Sequence, residues 1–284
     1  MKVKKTVLVT GCSSGIGFAT CLVLSRNDFM TYGTVRNLSK AKRIQEITDS
    51  ENLPLKIIQL DVNDNQSIKL AVKKILTDSG RIDILINNAG YGMFGPIEEI
   101  TMEEVKKQFE TNFFGTIRLI KSIVPIMRKQ GNGIIVNISS MVGRFGVPLN
   151  SAYVSSKFAL EGLSESISFE LEEFGIRVIV IEPGVVQTDF LQNLKLRGMS
   201  TDSPYHRSMA RRISFLEKAM KNSLSTSYQV ANIILNALSS KDPNFRYVVG
   251  NDAANSIHMR NSLSDREFRK WIKNGIFHGK GLSK

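Results

Sequence analysis

Tyr153 and Lys157 lie four residues apart, a spacing that puts both side chains on one face of a helix. A free phenol, with a pKa of ~10, is a poor acid or base near neutrality. A neighbouring ammonium stabilises the phenolate and lowers that value, which makes such a tyrosine useful for proton transfer. A Tyr-x-x-x-Lys pair alone is a common surface pattern, so it needs a second constellation beside it. Thr10-Gly11-Cys12-Ser13-Ser14-Gly15-Ile16-Gly17 supplies one, directly after the apolar run TVLVT. Glycines there allow a tight turn and let the backbone approach a pyrophosphate resting on helix-terminal N–H groups. The spacing is T-G-x-x-x-G-x-G rather than G-x-G-x-x-G, with two small serines in the middle. A proton-transfer pair and a dinucleotide turn in one chain point to redox chemistry.

The elements needed to bring these segments together are legible as periodicity. Buried strands are expected over 6–10, 30–35, 55–60, 84–87, 133–139 and 177–183, with a last one over 245–249. Helices are expected from about 16 to 26, 38–48, 65–78, 102–129 and 151–174, with Pro125 bending the fourth or marking its last turns. The strand runs are continuously apolar, so both faces of their sheet are covered. Strand–helix repetition of this kind makes a parallel, doubly wound sheet with right-handed crossovers. The stretch 190–225 is polar, rich in Arg and Lys, and lacks a clear strand; such folds place mobile substrate-binding segments there. The segment 264–274 reads as a short amphipathic helix carrying Phe268 and Trp271, suited to docking on the body or a neighbouring subunit. A foot on a membrane surface is the weaker reading, because its apolar face is short.

Further motifs follow in order. Asp61-Val62 comes after the third strand, Asn87-Asn88-Ala89-Gly90 after the fourth, and Asn112 within the long helix. Ser140 follows the fifth strand, Tyr153-Val154-Ser155-Ser156-Lys157 opens the next helix, and Pro183-Gly184 ends the sixth strand. With the glycine turn, this series resembles the short-chain dehydrogenase/reductase family from Lys5 to about Leu191. The stretches YGMFGPIEE, SAYVSSKFALEGLSESI and FELEEFGIRVIVIEPGVVQT look most like the branch containing hydroxysteroid and retinol dehydrogenases. The expected fold is α/β: one Rossmann-type, doubly wound parallel sheet flanked by helices, a single domain over 1–284. Within it, 190–225 is the mobile substrate-binding segment and 255–284 a C-terminal extension.

The resemblance also implies roles. Tyr153 would give a proton to a carbonyl oxygen or take one from an alcohol, with Lys157 tuning it and binding the nicotinamide ribose. Ser140, thirteen residues before Tyr153, would hydrogen-bond the substrate oxygen. Asn112 would hold a water linking Lys157 to solvent, or else be a buried amide satisfying backbone groups. Gly11, Ser13, Ser14, Gly15, Ile16 and Gly17 would cradle the pyrophosphate. Asp61, Val62, Asn88, Ala89 and Gly90 would line the adenosine side, and Pro183, Gly184, Val186 and Thr188 would surround the nicotinamide. Ser140, Met141, Val147, Tyr153 and Phe190 would touch substrate, on a mostly apolar rim that includes Met93, Phe94, Leu149, Val185, Leu191 and Leu194. A rim of that kind suits a lipophilic ketone, aldehyde or secondary alcohol. An NADP(H)-dependent oxidoreductase is the expected function, and the alternative is a non-catalytic dinucleotide-sensing protein of the same fold.

Composition removes other classes. With 284 residues, 42% hydrophobic and 23% charged, the chain has ordinary globular make-up and apolar surface for one large core. The formal net charge of +12 is spread along the chain rather than blocked, which suits a solvated basic surface and a phosphorylated cofactor better than a nucleic-acid partner. Cys12 and Cys21 cannot build a disulfide framework, and with three scattered histidines they give no metal spacing. The apolar run within MKVKKTVLVTG is too short for a signal peptide or spanning helix, so no transmembrane segment and a cytoplasmic location are expected. The family commonly pairs the helices 102–129 and 151–174 between subunits, which implies a homodimer or homotetramer.

The dinucleotide preference follows from one position. An acidic side chain about 20 residues beyond the turn binds the ribose 2′-hydroxyl of NAD(H), whereas an arginine there suits the 2′-phosphate of NADP(H). Val35 occupies the acidic position and Arg36 follows it, so NADP(H) is favoured over NAD(H). Val35→Asp should therefore move the NADPH/NADH ratio of kcat/KM toward NADH by roughly tenfold or more, since a carboxylate repels the phosphate. Steady-state kinetics with both coenzymes check this, and an unchanged ratio refutes it.

Overall fold

The runs of Val, Ile and Leu in this chain are too apolar to leave either face in water, and they pair edge to edge. In a computed structural model that describes residues 4–188, 190, 194–222 and 225–278, seven strands form one sheet. They are β1 (Thr6–Val9), β2 (Met30–Val35), β3 (Leu55–Gln59), β4 (Ile84–Asn87), β6 (Gly133–Ile138), β7 (Ile176–Pro183) and β9 (Arg246–Val249). Their order is β3-β2-β1-β4-β6-β7-β9, and every pairing is parallel. The short β5 (Met93–Phe94) and β8 (Lys195–Leu196) make a separate parallel pair beyond the sheet's edge. This is the expected Rossmann-type fold.

Side-chain alternation divides the core. Val7, Val9, Ile84, Ile86, Val136 and Ile179 point to one face, packed by α1 (Gly15–Arg26), α2 (Lys42–Ser50) and α8 (Ser227–Ser239) through Phe18, Leu22, Ile44, Val230 and Ile234. Leu8, Leu85, Ile135 and Val178 point to the other. There they meet α3 (Asn65–Ser79), α5 (Gly115–Gln130) and α6 (Ser151–Glu172) through Ile75, Leu119, Ile123, Met127 and Leu171. Each such side chain contributes about 1.5–3 kcal/mol on burial. The two cysteines are unpaired and fully buried in the first of these layers.

Three features of the fold matter for the site. The helix over 102–129 is α4 (Met102–Phe109) and α5 joined by a single π-helical turn, Glu110–Phe114, which carries Asn112. Pro125 marks the last turns, one of the two readings its position allowed: α5 runs on to Gln130 and stops at Gly131, whose φ of +68° is left-handed. Pro125 and Lys121 are both exposed, so the carbonyl freed by the missing N–H faces water. Second, 190–225 contains β8 and a long helix, α7 (His206–Asn222). Third, α9 (Asn251–Ser262) and α10 (Asp265–His278) close the chain onto the turn after β6. Phe268, Ile272 and Ile276 of α10 are buried against Val142, Phe145, Val154 and Ile257, and Phe268 meets Phe145 edge-on at 5.4 Å. The apolar face of the C-terminal helix is thus spent on docking to the body. Among the described residues no helix is long and apolar enough to cross a membrane.

Candidate active site

In a parallel sheet the crevice forms at the carboxyl ends of the strands where the winding direction reverses, here between β1 and β4. Those two ends are tied together. The Thr10 hydroxyl accepts from the backbone N–H of Asn88 and Ala89, both at 3.0 Å, and Asn88 Nδ2 donates to the carbonyls of Thr10 (2.8 Å) and Gly11 (3.0 Å). A cavity of about 760 Å³ opens above them. Gly11, Ser13, Ser14, Gly15, Ile16, Arg36, Asp61, Val62, Asn88, Ala89 and Gly90 line one part of it. Ser140, Met141, Val147, Tyr153, Lys157, Pro183, Gly184, Val186, Thr188 and Phe190 line the rest.

The turn fits an anionic dinucleotide on its own geometry. Gly11 and Gly15 sit at φ +71° and +60°, where a side chain is strained, and a Cβ on Gly11 would lie 3.0 Å from the Ala89 Cα. Ser14 is the extended N-cap of α1 but its hydroxyl does not cap, and no acidic side chain lies in the first helical turn. The N–H groups of that turn and the positive end of the helix dipole therefore face the cavity without a competing anion. A nicotinamide dinucleotide laid across this turn would be held by the residues just named, with Arg36 at its adenosine end. Asn88, expected as a ligand contact, spends its amide on locking the strand ends.

Tyr153 and Lys157 rise from the first turns of α6, one face of the helix presenting both. The Leu149–Asn150 junction sets that helix's entry angle: Leu149 holds a left-handed φ of +60°, and its carbonyl accepts from Gly95 N–H at 2.9 Å. A non-glycine residue there costs about 1–3 kcal/mol, a strain that surrounding packing must hold. Lys157 is buried, donates to the Ile138 carbonyl at 2.8 Å, and stands with Nζ 5.6 Å from the centre of the Tyr153 ring. Burial lowers its pKa to about 8, against the pull of Glu161 one turn on. Burial pushes the Tyr153 phenol up to about 12, against a hydrogen bond from Ser140. The lysine was expected to lower the tyrosine; here burial outweighs any such effect, and the ammonium is engaged by a backbone carbonyl.

Ser140 caps the short 3₁₀ turn Met141–Gly143, its Oγ accepting from Val142 N–H at 3.4 Å and lying 3.5 Å from the Pro183 carbonyl. Phe190 tilts against Tyr153 with ring centres 5.9 Å apart. Of the expected rim, Phe94 and Val185 also line the cavity, whereas Met93, Leu149 and Leu194 pack close by without lining it, and Leu191 lies outside the described residues.

Two expected site residues do not line the cavity. Asn112, in the π turn, is buried with Oδ1 accepting from Tyr91 N–H (3.1 Å) and Nδ2 donating to the Tyr91 carbonyl (3.0 Å) and Ser156 Oγ (3.2 Å). Its amide is occupied by backbone, the second of the two readings its sequence position allowed. Gly17 packs α1 onto the turn: a Cβ there would fall 2.3 Å from the Gly11 carbonyl oxygen and 2.4 Å from Asn88 Nδ2.

Sequence reasoning also missed several residues. Lys40 lines the cavity with Arg36 and adds a second cation, and Lys195, Arg212, Ile272 and Ile276 wall it from β8, α7 and α10. Behind Lys157 lies a buried ionic cluster. Arg144 reaches Glu182 at 3.0 Å, and Arg246 reaches Glu161 at 3.1 Å, Glu182 at 3.4 Å and Glu165 at 2.6 Å. Glu182 is wholly buried, and burial raises its pKa despite both arginines. Asp252 braces the neighbouring turn by accepting from Val185 N–H at 2.6 Å. Only the side-chain type Glu in the apolar run RVIVIEP signals this cluster in the sequence.

A family model described as short chain dehydrogenase matches residues 5–197. A 3-ketodihydrosphingosine reductase from Bacteroides thetaiotaomicron is 38% identical over 86% of this chain and 87% of its own. Human 17-beta-hydroxysteroid dehydrogenase type 1 is 32% identical over 86% of this chain and 77% of its own. Among solved structures, a short-chain dehydrogenase from Streptomyces avermitilis superposes with a TM-score of 0.82 at 31% identity, covering 96% of this chain and 98% of that one. A second, ElxO with NADP bound, gives 0.70 at 32% identity, covering 87% and 96%.

Gly17→Ala tests the reading of the turn. The added methyl must displace the Gly11 carbonyl or Asn88, and overpacking of this kind costs about 1–3 kcal/mol. Dinucleotide affinity, measured by fluorescence titration, should fall at least in step with stability, because the strand-end lock is the part displaced. Wild-type affinity in Gly17→Ala would refute it.

Proposed function

Because the chain belongs to the short-chain dehydrogenase family and is an NAD(P)-dependent oxidoreductase, we propose that it interconverts a carbonyl and an alcohol on a lipophilic substrate, using NADP(H), with Tyr153 as acid and base. The observation that carries this is the convergence in one cavity of the glycine turn, Ser140, Tyr153 and Lys157.

The bound coenzyme supplies or accepts the hydride; what this chain does is position and move a proton. A phenol held at about 12 keeps its proton across the neutral range, which is the form that reduction of a carbonyl needs. Ser140 Oγ is positioned to hydrogen-bond the same substrate oxygen and so to stabilise charge developing there. Lys157, fixed by the Ile138 carbonyl, sets a positive charge against the phenol ring and would hold the nicotinamide ribose. Asn112 keeps the Tyr91 loop and the α6 register through Ser156. Arg36 and Lys40 offer cations for a 2′-phosphate, and the buried Val35 puts no carboxylate beside them. An apolar substrate is supported by Val147, Phe190, Phe215, Ile272 and Ile276 along the wall. Phe190, α7 and α10 supply most of that wall, and a homo-oligomer in the cytoplasm completes the proposal. The exposed Met102, Phe114, Phe158 and Phe169, on the helices expected to pair, support the assembly.

Two measurements test this reading. Tyr153→Phe should lower kcat for NADPH-linked carbonyl reduction by 100-fold or more, on the order of a lost general acid, while NADP⁺ binding stays within about twofold. An active variant would sink the assignment. The second concerns Lys157, which is charged below its pKa of about 8 and neutral above it. The kcat/KM for reduction should therefore be level below about pH 8 and fall as pH rises through that value. In Lys157→Met the profile should be lower and flat there; a wild-type fall that persists in that variant assigns the titration to another group.

A further inference from the structure

Arg212 is 5% exposed, in the middle of α7, and lines the cavity. Its guanidinium lies over two aromatic rings, 5.2 Å from the centre of Phe94 and 5.7 Å from that of Phe215. Among the described residues it has neither an ion-pair nor a hydrogen-bond partner, and its buried Nε and Nη1 are unsatisfied. A buried charge in this state is costly: leaving one partner of a buried ion pair without the other costs about 3–5 kcal/mol. Burial lowers the group's pKa to about 10, so it is still a cation at neutral pH. The half-buried Arg144 and Arg246 are paired with buried carboxylates; among the described residues Arg212 is not.

The surroundings define the missing partner. Lys195, on β8, is a second cation on the same wall, its Nζ 5.0 Å from the Tyr91 ring centre. Among the described residues, the one carboxylate lining the cavity is Asp61, beside the residues expected on the adenosine side. Phe94, Met209 and Leu216 pack as an apolar cluster around the guanidinium's helix. A cation whose faces are stacked on aromatic rings leaves its in-plane N–H groups for a ligand, and those form two parallel bonds to a carboxylate or phosphate.

We infer that the substrate is an amphiphile with an anionic group, a carboxylate or phosphate, which Arg212 receives while the carbonyl lies at Tyr153. This rests on the oxidoreductase reading for the carbonyl end only. Its anionic end is carried by Arg212 independently. A neutral lipophilic ketone would leave the guanidinium buried and unpaired, and would gain nothing from this wall.

Isothermal titration of the whole protein with decanoate, decyl phosphate and decanol, below their micellar concentrations and with and without saturating NADP⁺, tests the inference. Decanoate or decyl phosphate should bind at least tenfold more tightly than decanol, and the tighter of the two names the head group. Arg212→Met should remove that difference while leaving decanol and NADP⁺ affinities within about twofold, and Arg212→Lys should keep part of it. Equal binding of all three probes by the wild type, or a preference that survives in Arg212→Met, overturns the inference. The wild-type comparison decides even where Arg212→Met does not fold. Loss of NADP⁺ binding with the anion preference intact would sink the redox reading and leave this one standing.

Discussion

The bond set between Thr10, Gly11 and Asn88 is the constraint on which the rest of the cleft depends. Where the winding reverses, between β1 and β4, the connections leave on opposite sides of the sheet, so the paired strands open into a crevice at their carboxyl ends. The Thr10 hydroxyl and the Asn88 amide close that gap with four hydrogen bonds. Their geometry leaves space for nothing larger than hydrogen at Gly17, which is how α1 comes to start with its first N–H groups open to the cavity. From the same edge β6 delivers Ser140, and β7 delivers Pro183 and Gly184. An error of an ångström in the lock would be passed to every one of them, because the sheet is rigid and its core close-packed.

Charge is placed by the same logic of burial. Cations meet the cavity at Arg36 and Lys40, at Lys157, and at Lys195 and Arg212, whereas among the described residues Asp61 is its one carboxylate. The carboxylates near Lys157, Glu161 and Glu182, lie behind the wall and are held by Arg144 and Arg246. The ionic cluster thus serves α6, β7 and β9 as a brace, and its negative charge is spent before it reaches the ligand space. The net charge of +12, spread over the surface, adds a weak long-range attraction for anions, while the specific work falls to the few cations that line the cavity, of which Lys157 and Arg212 are buried.

What was legible in the sequence divides along the same line. The seven strands of the main sheet and the glycine turn were readable because each is a local signal: an apolar run, or glycines where only a positive φ serves, whereas the two-residue β5 and β8 gave none. Ser140, Tyr153 and Lys157 were readable through their order, since the motif series tracks the strand ends. Gly17 was placed in the right loop but does not line the cavity, because spacing cannot tell a group that touches a ligand from one that holds the loop that does; Asn88 lines the cavity and also ties the strand ends together. The interruption of the long helix at Asn112 was invisible, as a π turn keeps helical periodicity almost unchanged. Arg212 was missed for a different reason. In a polar, basic stretch one arginine looks like the rest, and only the stripe Met209, Arg212, Leu216 and Met220 at helical spacing marks it as inward-facing.

That division has a consequence for specificity. The segment matched by the family model ends at residue 197, and it contains every residue proposed for proton transfer and dinucleotide binding. Arg212 on α7 and Ile272 and Ile276 on α10 lie beyond it, yet they wall the same cavity. These helices pack on one another and on the turn after β6, through Phe145, Phe268 and Ile257, rather than on the sheet. Substitutions in them can reshape the substrate wall without moving a strand end, so the chemistry is insulated from changes in what is bound. The converse does not hold: Val142 and Val154, which seat α10, flank Ser140 and Tyr153, so loosening the docked helix would reach the proton-transfer pair through one layer of side chains.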